Sequence, residues 1–157
     1  PIATWAENEL SEAEAALHAD GQSFSDALTA LNNARTAIEQ KFGGTFDDYE
    51  ASDFQSGGLL NPNGNYSQNE ALLKEILEEK YLVLIGNIEA FADLRRTNNF
   101  AEVQDPANNV LEFNGSGDAP ERFPYAQSEV TGNENTPDPI PGLFQEVPAF
   151  SPTYPTP

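Results

Sequence analysis

The side chains in this sequence that could do chemistry are nearly all carboxylates: 26 Asp and Glu stand against seven Lys and Arg, with one histidine and no cysteine or methionine. Carboxylate pairs serve glycosidases as acid and nucleophile, but with so many along the chain, pairs at any spacing arise by chance and single out no enzyme. His18 lies near the end of a helical pattern with no Ser or Cys nucleophile motif around it, and no Gly-x-Ser-x-Gly occurs, so it reads as a surface histidine rather than a base or ligand. Asp47, Asp48, Glu50 and Asp53 offer oxygen ligands for a hard cation. They lack the alternating Asp/Asn order and the glycine of an EF-hand, and a solvated loop is the preferred reading. Gly115-Ser116-Gly117 is too short for a dinucleotide fingerprint, and no Gly-x-x-x-x-Gly-Lys phosphate loop exists. Without thiolates there is no disulfide framework, zinc ribbon or iron–sulfur cluster. The sequence therefore predicts no catalytic residue, no metal and no cofactor: not an enzyme.

Charge narrows the partners. A net charge of −19, with cations only at Arg35, Lys41, Lys74, Lys80, Arg95, Arg96 and Arg122, leaves no basic patch for a row of phosphates, which excludes nucleic acid. The longest apolar run, Tyr81 to Ile85, falls far short of the roughly 20 residues that cross a bilayer. High Asp and Glu with low Lys also suits proteins that stay soluble at high salt. Loop aromatics such as Tyr49, Phe54, Tyr66 and Tyr125 can stack on sugar rings while nearby Asn and Asp bond hydroxyls. Tyr49, Phe54 and Tyr66 are the candidates for ligand contact, although aromatic plugs pinning loops to a core are the preferred reading residue by residue.

The elements that would position these groups are mainly helices. Ile2, Ala6, Leu10, Ala13 and Leu17 share one helical face before Gly21. A second helix, expected to be capped at Ser25, carries Ala27, Leu31, Ala34 and Ile38 up to Gly43-Gly44. The two form an antiparallel pair of tetratricopeptide-like size. Residues 46–68 read as an irregular excursion, closed by a Ser67/Glu70 capping box. Leu73, Leu77, Tyr81, Leu84, Ile88 and Phe91 then predict one long helix of about 40 Å reaching Arg95-Arg96. Gly86 lies inside it and implies close packing of another backbone there, in preference to a bend. After Asn98 the prolines leave no room for a helix of ordinary length. Residues 99–157 are expected to form a long irregular region of the same domain, docked on the helical part (1–98) by Phe100, Phe113, Phe123, Tyr125, Phe144, Phe150 and Tyr154, with fraying beyond about Pro148.

Three segments resemble a known family. Glu78-Glu-Lys-Tyr through Ala92-Asp-Leu-Arg-Arg-Thr97 is similar to the late helix of SusD/RagB-like nutrient-binding outer-membrane lipoproteins. Thr4-Trp-Ala-Glu-Asn-Glu-Leu10, leading into Ala13-Glu-Ala15, and Leu31-Asn-x-x-Arg35 resemble their preceding helical pair. Pro120-Glu-Arg-Phe-Pro-Tyr-Ala-Gln-Ser-Glu129 resembles their C-terminal Arg-x-Pro-Tyr-Pro-x-x-Glu segment, with Ala126 where a proline is common. The resemblance implies the C-terminal part of a longer protein, lipid-anchored upstream and exposed at the cell surface. Such a protein binds oligosaccharides or other nutrients and passes them to a SusC-like TonB-dependent transporter. It further implies architectural roles for Trp5, Glu7, Glu14, Tyr125 and Glu129. Arg95, Arg96 and Arg122 are then internal struts pairing with Glu7, Glu14 or Glu129. A tetratricopeptide-like scaffold that binds only protein is the alternative.

Overall fold

The computed structural model describes residues 4–19, 21–97, 99–104 and 123–145. The first helix, α1 (Trp5–His18), starts at a capping box: Thr4 Oγ1 accepts from the Glu7 amide, and the Glu7 carboxylate accepts from the Thr4 amide. Ala6, Leu10, Ala13 and Leu17 of the periodic set are buried, and Ile2 lies outside the described residues. A short turn leads to α2 (Phe24–Phe42), which is capped by Ser23, not Ser25, so the helix starts nearer the turn than expected. Ser23 Oγ accepts from the Asp26 amide at 3.3 Å. Gly43 ends α2 in the left-handed conformation at φ +72°. Helices α1 and α2 make the most extensive interface, burying Ala27, Ala30, Leu31 and Ala34 against α1, and α3 (Gln68–Val83) adds to it chiefly through α1. The described residues are mainly helical.

The expected long helix is two helices. After α3 the chain turns at Leu84–Asn87 and restarts as α4 (Ile88–Arg96), with Asn87 Oδ1 accepting from the Glu89 amide. Gly86 takes φ +83°, and a Cβ built there meets nothing within 4 Å. Glycine is thus required by a left-handed turn, not by a closely packed backbone. Ile88, which the continuous pattern would bury, is 64% exposed.

The excursion between α2 and α3 contains one short 3-10 turn (Ala51–Phe54) and is held by its own amides. Asn61 is buried, and its Nδ2 donates to the Tyr66 carbonyl at 2.8 Å. Phe54 is fully enclosed, with Phe24 and Tyr49 set edge-on at 5.9 and 5.7 Å. Beyond α4, Phe100, Ala101 and Val103 return to the core. Docking of the C-terminal aromatics stops there among the described residues, since Phe123, Tyr125 and Phe144 are exposed and only the short α5 (Gln127–Gly132) forms. Phe113, Phe150, Tyr154 and the expected fraying lie outside the described residues.

Candidate functional site

Glu14 and Lys80 fall on the core-facing registers of α1 and α3, four residues after Leu10 and Ile76, so folding carries both charges inward. The C-terminal half of α4 then brings Asp93 and Arg96 to the same place. Lys80 Nζ lies 3.1 Å from both Glu14 Oε2 and Asp93 Oδ2. Arg96 grips Glu14 with NH1 at 2.6 Å and NH2 at 3.1 Å, and reaches Asp93 Oδ1 at 2.8 Å. Two carboxylates and two cations thus alternate in a neutral cluster that ties α1, α3 and α4 together. Buried charges persist only when so paired.

A second junction fastens the excursion to α2 and α3. Asn32 brackets the Tyr49 backbone, donating to its carbonyl and accepting from its amide, both at 3.0 Å. The Arg35 guanidinium lies 4.0 Å from the Tyr49 ring centroid and 5.0 Å from that of Phe46, and it donates to Glu79 Oε1 at 2.6 Å. Tyr49 donates its hydroxyl to Glu75 Oε1 at 2.7 Å. Burial pushes the Tyr49 phenol well above its ordinary range, and the bond to Glu75 adds to it. Burial also raises the Glu75 carboxyl, against the Tyr49 bond, with Glu78 and Glu79 adding repulsion. In a third junction, Tyr66 and Glu102 both contact Lys74. Burial opposes the Lys74 charge, but the bonds to Glu102 and Tyr66 outweigh it and raise the ammonium. The Lys74 bond holds the Glu102 carboxyl below its usual value.

These contacts change the standing of the aromatic candidates for ligand contact. Phe54 is enclosed, Tyr49 is covered by Arg35, and Tyr66 sets its ring edge-on to Phe100 at 6.1 Å. Each packs loop against core, with Lys74 Nζ over the Tyr66 ring at 4.9 Å. No family model, curated protein or solved structure matches the chain.

The remaining singled-out residues are placed as follows. Glu7 serves the α1 cap, Glu129 bonds Asn133 Nδ2 at 2.9 Å, Arg95 is half-buried on α4, and Arg122 lies outside the described residues. His18 is exposed. Asp53 caps its own 3-10 turn through the Glu50 amide at 2.8 Å, and among the described residues no group of three or more metal-type side chains is placed around a common point. No described helix is long and apolar enough to cross a membrane.

Two concavities among the described residues could receive a partner. A polar cleft of about 520 Å³ lies where the end of α1 meets the start of α3, lined by His18, Gln22, Gln68, Asn69 and Glu70, with Asn69 Nδ2 bonded to Gln22 Oε1 at 3.0 Å. An apolar groove of about 390 Å³ lies at the other end of the helices, formed by Trp5, Ile38, Phe42, Phe46, Leu82 and Val83. Trp5 stands 66% and Phe42 73% exposed there. The sequence reading missed the groove, although Phe42 continues the α2 apolar face four residues after Ile38.

Proposed function

We propose that this chain is part of a cell-surface glycan- or nutrient-binding lipoprotein of the SusD/RagB-like kind, which captures its ligand and hands it, without a catalytic step, to a SusC-like TonB-dependent outer-membrane transporter. The reading is supported by the convergence of the resembling motifs on one cluster. Glu14 comes from the first segment and pairs with Lys80 and Arg96 of the late one across more than sixty positions of sequence, with Asp93 of the late segment bonding the same two cations. With the loop aromatics packed as plugs, sugar hydroxyls would be received in the polar cleft by replacing the Asn69–Gln22 bond across it, beside Gln68 and Glu70, which bond the Ala51 carbonyl and the Ser67 amide.

The alternative, a tetratricopeptide-like scaffold that binds only protein, is favoured by the antiparallel α1/α2 pair and by the apolar groove. Expression of the whole encoded protein with a tagged transporter from the same locus separates the two. Co-purification with the transporter, together with calorimetric binding of an oligosaccharide, is expected. A protein that binds neither would defeat the lipoprotein reading.

A further inference from the structure

The groove between α1, α2 and α3 gathers four exposed large apolar side chains onto one surface: Trp5, Phe42, Phe46 and Leu82. Exposed apolar groups gathered this way, unlike scattered ones, mark an interaction surface. The polar side chains lining it are mostly engaged within the protein. Thr4 Oγ1 takes the Glu7 amide, Glu79 takes Arg35, and Lys41 lies over the Phe42 ring at 4.9 Å. Little hydrogen-bonding capacity is left for sugar hydroxyls, so the groove suits apolar side chains.

Charge selects whose side chains. Next to lining residues in the chain are Glu39, which accepts from the Phe46 amide, the exposed Asp47 and Asp48 that follow Phe46, and Glu78 one turn before Leu82, while Glu79 lines the groove itself. Lys41 is the only cation lining it, and the neighbouring Arg35, 5.0 Å from the Phe46 ring, is paired with Glu79. A second copy would bring another −19 of charge against this rim, and an anionic lipid surface would be repelled in the same way. A basic partner is attracted and steered.

We propose that this groove docks a basic segment of a partner protein, with apolar side chains seated among Trp5, Phe42 and Leu82 and flanking Lys or Arg residues against Glu39, Asp47, Asp48 and Glu78. Docking of this kind follows from the groove alone and is independent of glycan capture.

Trp5 is the only tryptophan in the chain, so its fluorescence reports occupancy of the groove directly. The full chain is titrated with an amphipathic Leu/Lys peptide free of aromatic residues, and with its Leu/Glu counterpart. The Leu/Lys peptide is expected to shift Trp5 emission to the blue and saturate, while the Leu/Glu peptide leaves it unchanged. Phe42→Ser with Leu82→Ser should weaken binding about tenfold, or roughly 1.4 kcal/mol. Both positions are exposed, and unchanged circular dichroism verifies folding. Leu59→Ser, at an exposed position outside the groove, should bind as the parent does, and Lys41→Glu should bind more tightly. Binding that leaves Trp5 emission unmoved, or that survives the groove substitutions, would mean adhesion to the acidic surface at large and would overturn the proposal. Blue-shifting by anionic vesicles, or by self-association at physiological salt, would assign the groove to lipid or to a second copy instead.

Discussion

At the scale of residues, the charged side chains that matter most are those carried into the interior by helical register. Position 80 looks like part of a solvated acidic stretch, Glu78-Glu79-Lys80, until it is set four residues after Ile76 and three after Leu77. Its partners were not legible, because Glu14 and Asp93 reach it only through the packing of α1 and α4 on α3. Lys80→Ala leaves the buried Glu14 and the part-buried Asp93 to share Arg96, and removing one member of such a cluster costs about 3 kcal/mol, the low end for a buried pair. Urea unfolding should show that loss, whereas Lys41→Ala, at an exposed position, should stay within about 0.5 kcal/mol. Glu75 makes the opposite contribution. Burial raises its carboxyl in the folded protein, so the folded state binds protons more readily than the unfolded one. Its ionisation costs stability above the unfolded value of 4.5, and the cost is relieved as pH falls through the raised value towards 4.5. Glu75→Gln keeps an acceptor for the Tyr49 hydroxyl and should raise the melting temperature at pH 8, with the gain shrinking towards pH 4.5. An equal gain at both values would contradict the burial account.

At the scale of elements, the apolar faces of α1 and α2 and the Ser67/Glu70 box could be read directly, because each is a local pattern. The break between α3 and α4 was missed because Leu84 and Ile88 keep helical spacing across it. The signal against continuity was Gly86-Asn87 followed by Glu89, a left-handed glycine stop joined to an asparagine start. The sign of one substitution distinguishes the two architectures. In a continuous helix Gly86→Ala would stabilise by about 1 kcal/mol. In the turn observed, with open space around the added methyl, it should destabilise by about 1–2 kcal/mol from left-handed strain alone. Gly86→Asn should cost less, since asparagine tolerates that conformation. Plugging by Tyr49, Phe54 and Tyr66 was legible only as a composition. Which ring meets which amide depends on contacts such as Asn32 with Tyr49, seventeen positions apart.

At the scale of the whole molecule, a charge of −19 on 157 residues sets a self-repulsion that the helical core must overcome. Salt shortens the reach of that repulsion to about 10 Å at 0.1 M and about 3 Å at 1 M. The melting temperature should therefore climb as sodium chloride is raised to molar concentration, and a flat or falling curve would show that the acidity is locally compensated. The same field favours basic partners and disfavours self-association at low salt. Function at this scale turns on what the chain is joined to, and the most direct test is the coding sequence upstream of Pro1. The lipoprotein account predicts a signal peptide ending in a lipid-attachment cysteine, followed by further helical pairs. An initiator methionine immediately before Pro1, with no such leader, would contradict it and leave a small acidic module whose groove binds protein.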